Sequence, residues 1–359
     1  MAKLLKPEIL TVEGNASCQL RCPTCPTTSK GYPLVVGNGY LEFEDFKNLL
    51  NANRHIKEVN LESRGELFLN PDLLPIIEFG FKKNVSMTNN SGVNLNDVQN
   101  EVLEGLVRYR FKHLLCSIDG ASPEIYRIYR VGGDFERVID NIKIINQFKK
   151  LYHADYPKLS WQFIVFGHNE HELPLAKKMA EDLNMSFIPK MSWDSEYSPI
   201  RNKDFVMAET GWPAVTREEF RKVTGKNYVR NVCYALWKTP RVNWDGKIMG
   251  CCWNSWGEFG GNAFKDGYIP SINSEKINYA RKMLLGRVKY VDDIPCTTCI
   301  LYTQMREAND FITLKEIFPE KPLLHRFQNF SSGYPLLDRC SRFIYRMSGL
   351  KRLLMSKRK

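Results

Sequence analysis

From Leu10 to Pro189 short β-prone runs alternate with helical apolar repeats, and this rhythm constrains the fold more than any other feature. Strands are expected at Leu10–Asn15, Ile56–Glu62, Asn84–Asn90, His113–Gly120, Leu159–Phe166 and Ser186–Pro189. Helices are expected at Phe43–Leu50, Pro71–Gly80, Asp97–Arg108, Phe135–Leu151 and Glu172–Leu183, with Pro71 and Asp72 suited to a first turn. Strands spaced by helices of that length pair in parallel and carry the helices outside. Six units are visible by Pro189, two short of a full barrel. The expected fold is therefore α/β: a partial (βα)6 TIM-like barrel. Such folds place their chemistry at the C-terminal strand ends, where Cys18, Glu66, Asn89, Ser117 and Asn169 fall.

The first of those ends carries Cys18-Gln-Leu-Arg-Cys22-Pro-Thr-Cys25, three thiols within eight residues. Close thiols oxidise or scavenge metal unless something occupies them. A closed zinc site wants four protein ligands, and no fourth Cys or His stands nearby. A cubane iron–sulfur cluster held by three thiolates keeps one iron open for a non-protein ligand.

Composition matters chiefly for where those thiols live. Met1–Val12 has no long apolar run and no small-residue cleavage site, and nothing approaches a membrane span. The ten cysteines are thus expected as ligands or core fillers in a reducing, cytoplasmic setting. The net charge of +11 admits an anionic substrate, nucleic acid or a membrane surface. Much of it lies beyond Asp338, where no acid follows, so the body is only mildly basic. No single-strand stacking platform is legible, and no nucleic-acid partner is expected. The tail Ser341–Lys359 alternates apolar and cationic residues, which suits packing on the protein's own surface or peripheral contact with a membrane or partner.

After Phe205 the rhythm breaks into glycines, short β-like runs and Trp212, Trp237, Trp244, Trp253 and Trp256. Arg241–Cys252 reads as a hairpin with Asp245-Gly246 as its two-residue turn, and Ile277–Leu285 as a helix. The expected domains are 1–205, a smaller β-hairpin and helix domain at 206–310, and a Pro-punctuated basic tail at 311–359. Cys233-x17-Cys251-x44-Cys296-x2-Cys299 could close a complete cluster site; a structural zinc on the same thiols is the alternative. Cys116 reads as a buried strand residue and Cys340 as an incidental thiol.

The cysteine triad in its βα setting resembles the radical S-adenosylmethionine (SAM) enzymes. That resemblance, over roughly Lys6–Leu301, implies a 4Fe–4S cluster on Cys18, Cys22 and Cys25, with SAM on the open iron. Gly65-Glu66 resembles the family's glycine–glutamate motif for the SAM amino group. Ser117 and Arg130 resemble its ribose and carboxylate region, Thr88-Asn89 its carboxylate side, and Asn169-Glu170 its adenine side. Two departures stand out. Thr24 replaces the usual aromatic before the third cysteine, and Arg64 the first glycine of the motif. Cys233, Cys251, Cys296 and Cys299 resemble the auxiliary-cluster extension called SPASM or, shortened, Twitch; their number suits one auxiliary 4Fe–4S cluster. Cys252 competes with Cys251, which is favoured because the family ligand follows the hairpin first.

The resemblance implies reductive cleavage of SAM and hydrogen abstraction by a 5′-deoxyadenosyl radical, with electrons from a flavodoxin- or ferredoxin-type donor. The auxiliary spacing looks like that of the aminocyclitol dehydrogenase branch, so alcohol oxidation on a sugar or cyclitol is expected. Modification of a peptide is the alternative. A metal-stabilised, non-catalytic binding protein is the rival of another class. Lys190, Ser192 and Trp193 are candidates to line the substrate cavity, and no residue is assigned a catalytic role.

Overall fold

The computed structural model describes residues 4–27 and 36–319, so the basic tail and Cys340 lie outside the described residues. The chain divides between Phe311 and Ile312. Beyond the division, Leu314–Ile317 forms a short helix begun by a reciprocal capping box between Thr313 and Glu316.

Six strands follow one another in parallel: β1 (Ile9–Glu13), β2 (Glu58–Glu62), β3 (Ser86–Val93), β4 (His113–Ser117), β5 (Lys158–Val165) and β6 (Met185–Met191). Two more, β7 (Arg241–Val242) and β8 (Ile248–Gly250), extend the sheet beyond β1, giving the order β6-β5-β4-β3-β2-β1-β7-β8. Among the described residues no further strand pairs with β6 or β8, so the sheet does not close, as a partial barrel requires. β7 pairs with β1 in parallel and with β8 in antiparallel fashion, so the late hairpin is continuous with the barrel sheet.

The period-two alternation of the strands sorts core from cavity. On β1 Leu10 and Val12 are buried among apolar neighbours, while Thr11 and Glu13 take the opposite face. On β2 Val59 and Leu61 alternate with Asn60 and Glu62; on β5 Trp161 and Phe163 alternate with Gln162 and Ile164. The apolar faces meet helices such as Phe43–Ala52, Leu73–Lys82 and Phe135–Leu151. Asp134 caps the last of these through the Arg137 N–H at 3.1 Å. Cys116 is fully buried in β4.

Three expectations need correction. β3 runs to Val93 rather than ending at Asn90, with a register shift between Asn89 and Val93. The β-like reading after Phe205 holds for the hairpin β7–β8 alone: helices such as Arg217–Thr224 and Ile300–Glu307 fill much of the rest, and Glu275–Leu284 matches the expected Ile277–Leu285. The hairpin turn is longer than two residues: Asn243 N–H meets the Lys247 carbonyl at 2.8 Å, and Gly246 takes a φ of +88°. A side chain at Gly246 would be strained there and would strike Asn262 Oδ1.

Candidate active site

The C-terminal ends of β2 to β6 and the cysteine loop enclose a cavity of about 400 Å3. Cys18, Cys22 and Cys25 line it together with Gly65, Glu66, Ser117 and Arg130. Chain turns bring the thiols there: Cys25 N–H donates to the Cys22 carbonyl at 3.1 Å, and Arg21 N–H to that of Val131 at 2.9 Å. Burial pushes the Cys18 thiol up to about 12 and the Cys22 thiol upward, the latter opposed by Arg130, whose Nη1 lies 3.8 Å from its sulfur.

Gly65 has a steric reason. Its N–H donates to Asn15 O at 3.1 Å, the next N–H donates to Ser17 O at 2.7 Å, and a Cβ at 65 would stand 2.0 Å from that Ser17 oxygen. Only a glycine lets the loop after β2 lie against the cysteine loop. Glu66, 1% exposed, accepts from Asn94 N–H at 2.6 Å and Phe68 N–H at 3.2 Å; burial nevertheless pushes its carboxyl up to about 7. Arg130 is no solvated helix residue. It pairs with buried Asp119 at 2.6 Å and packs over the Tyr129 ring.

Four of the expected cofactor contacts, Thr88, Asn89, Asn169 and Glu170, stay out of the cavity. Thr88 Oγ1 leans to Val59 O, Asn89 Nδ2 donates to Leu61 O at 2.7 Å, and Asn169 Nδ2 bonds the Asp119 and Ile164 carbonyls. Because β3 continues through its irregularity, Asn90, Ser91, Gly92 and Asn94 reach the cavity in place of Thr88 and Asn89. Glu170 is consumed in capping the Arg201 and Asn202 N–H groups. Of the substrate candidates, Lys190 and Trp193 line the cavity, whereas Ser192 turns back to Asp194 O. Arg64 and Cys252 also line it, as do Glu62 and Gln162, which went unnoticed in the sequence although the alternation of β2 and β5 points them inward.

Thr24 and Arg64 acquire local explanations. Thr24 Oγ1 shares a hydrogen bond with Tyr129 Oη at 2.9 Å, and its carbonyl accepts from Trp193 Nε1 at 3.2 Å, so two aromatic rings flank it at the cavity. Arg64 reaches across to the loop after β8, donating to the Cys252 and Asn254 carbonyls.

A second, small and enclosed cavity is lined by Cys233, Cys251, Cys296 and Cys299 amid Leu236, Trp253, Trp256, Phe259 and Leu284. Cys251 faces it, while exposed Cys252 faces the first cavity. Among the described residues no group of three or more His, Cys, Asp or Glu is drawn together as around one metal ion. A multi-iron cluster sets a different demand: each thiolate takes its own iron, so the sulfurs line a cavity rather than meet at a point. Both sets of thiols suit that description. A surface groove of about 910 Å3 along Gly286–Asp292 contains none of the predicted residues.

Comparison with known proteins agrees with the first cavity. The chain adopts the fold of Streptococcus suis SuiB bound to S-adenosylmethionine, at 14% identity and a TM-score of 0.58, over 82% of this chain and 71% of that one. SuiB bound to precursor peptide SuiA gives 13% identity and a TM-score of 0.58, over 83% and 71%. BtrN in complex with AdoMet and 2-DOIA gives 13% and 0.44, over 79% and 88%, too remote to carry an argument. No curated protein matches the sequence. Residues 13–176 match the model described as Radical SAM superfamily, the span that supplies the three thiols, Gly65-Glu66, Ser117 and Arg130. Residues 13–176 thus carry a radical SAM superfamily domain, and the thiol-lined cavity lies within the part of the chain that it shapes.

Proposed function

We propose that this enzyme oxidises an alcohol on a small polar substrate of the sugar or cyclitol class, with one auxiliary cluster on Cys233, Cys251, Cys296 and Cys299. The observation that carries the reading is the second cavity, where four thiols share an enclosed apolar chamber. Four protein thiols leave no open iron for a ligand, which suits electron transfer rather than substrate binding. In the first cavity Cys18, Cys22 and Cys25 would hold the SAM-binding cluster. When bound, that cluster and SAM supply the hydrogen-abstracting radical.

The chain's own residues bind and orient. Glu66 offers a buried carboxylate to an ammonium, an interaction strengthened by the dry site. Tyr129 and Trp193 offer aromatic surface beside Thr24, where the family's usual aromatic is missing. Polar Asn90, Ser91, Gln162 and Lys190 line the rest, a donor and acceptor set matched to hydroxyl groups.

A peptide substrate is the second reading, favoured by the SuiB structure bound to its precursor peptide. One experiment separates them. The protein is reconstituted anaerobically with iron and sulfide, then given reductant, SAM and pooled sugars, aminocyclitols or peptides. Reductant-dependent 5′-deoxyadenosine and a sugar or cyclitol that has lost two hydrogens are expected. A modified peptide with untouched sugars would overturn the substrate class; zinc without iron, and no 5′-deoxyadenosine, would overturn the enzyme reading.

A further inference from the structure

Alcohol oxidation by hydrogen-atom abstraction leaves a hydroxyl proton that must go somewhere. Among the described residues two carboxylates line the first cavity, Glu62 and Glu66. Glu66 is turned into the backbone N–H groups of Phe68 and Asn94. Asp119 and Glu13 stand behind the wall, fully buried, the first held by Arg130 and Ile164 N–H, the second by Arg241 and Arg64 N–H.

Glu62 is differently placed. It ends β2 on the inward face of the strand and keeps 16% of its side chain open. Its contacts are weak: Asn60 Nδ2 donates at 3.2 Å, and Arg241 Nε stands 3.6 Å away, beyond hydrogen-bond range. Arg241 is committed to Glu13, and its Nε makes no hydrogen bond. Glu62 thus faces the cavity with acceptor capacity to spare.

We propose that Glu62 is the catalytic base of this cavity, taking the proton of the substrate hydroxyl. The assignment rests on the alcohol-oxidation reading above. Once the carbon-bound hydrogen has left as an atom, the hydroxyl on that carbon is far more acidic than in the parent alcohol, so a carboxylate suffices. The O–H bond breaks, the proton joins a Glu62 oxygen, and the electron pair stays on the substrate oxygen. The transfer needs no other reactant.

The surroundings poise the group. The charged and titratable groups facing Glu62 are Arg64 on its own loop, Arg241 on β7 and Cys252 after β8. Burial outweighs the Arg64 guanidinium and the Asn60 hydrogen bond and pushes the carboxyl up to about 7. A base is most effective when it titrates near the working pH. The ionised form grows as pH rises through that value, so product formed per 5′-deoxyadenosine should climb through about pH 7 and then level off.

The test is Glu62→Gln, which keeps the shape and an oxygen for Asn60, beside Glu62→Asp, which keeps the carboxylate. With the alcohol found in the preceding assay, E62Q should lose about 100-fold or more of product per 5′-deoxyadenosine, together with the climb through pH 7. E62D should regain part of both. Infrared titration of the reconstituted, substrate-free chain gives a readout independent of turnover. Glu66 also titrates near 7, so E62Q should remove part, not all, of the protonated-carboxyl band lost near that pH. An unchanged band, or an unchanged yield and pH profile, overturns the role of Glu62. An unaltered enzyme that oxidises no alcohol overturns the reading it rests on.

Discussion

Arg64 Nη2 donates to the Cys252 carbonyl at 2.7 Å and to that of Asn254, tying the loop after β2 to the loop after β8. One guanidinium thereby joins the wall of the first cavity to the segment that carries Cys251. Arg64→Gly, which restores the residue usual in the motif, should cost about 1–3 kcal/mol by loss of both charged hydrogen bonds. Arg64→Lys should rescue it in part: an ammonium can donate to both carbonyls, as the single Nη2 does, but its donors are not fixed in a plane on so long a stem. Denaturant unfolding of the three proteins measures both effects.

The two cavities make separable demands on iron. Cys22→Ala should empty the first thiol set and abolish 5′-deoxyadenosine, while Cys251→Ala should lower bound iron without removing the first cluster. Cys252→Ala should retain the full iron content, because its thiol faces the other cavity. Iron analysis and electron paramagnetic resonance of the reconstituted variants decide among these, and iron loss in Cys252→Ala would reverse the ligand assignment.

Gly65→Ala should destabilise the fold by about 1–3 kcal/mol, the usual cost of overpacking. The added Cβ would meet Ser17 backbone at 2.0 Å, so either the cysteine loop or the loop after β2 must move. A lower melting temperature with poor iron uptake is the expected pair of results.

His168 sits against the Phe166 ring, 5.2 Å between centroids, with Nε2 buried and unpartnered. Burial, with Arg201 and His171 nearby, lowers its pKa from 6.5 to about 4. Between those values the unfolded chain binds a proton that the folded one refuses, so stability falls as pH drops from about 6.5 toward 4. His168→Gln should flatten that limb of a stability-against-pH curve; an unchanged slope would place its cause elsewhere.

The long helix Phe135–Leu151 was legible to the residue, because its apolar repeat and its Asp134 cap are local signals. β1 to β6 were legible to within a few residues for the same reason. Thr88 and Asn89 were misplaced because the continuation of β3 depends on how it meets β4, a contact between distant segments. Glu62 escaped notice because a lone carboxylate on a strand means nothing until the opposite wall of its cavity is known.

Residue order alone determined the parallel α/β rhythm, the thiol triad after β1 and the Gly65-Glu66 turn after β2, since each depends on neighbours a few positions away. Tertiary structure decided which groups share water-poor space. It sent Cys251 and Cys252 to different cavities, withdrew Asn169 into backbone hydrogen bonds, and left Glu62 with acceptor capacity to spare. Burial and proton affinity are set by atoms far apart in sequence, and only the folded chain assembles them.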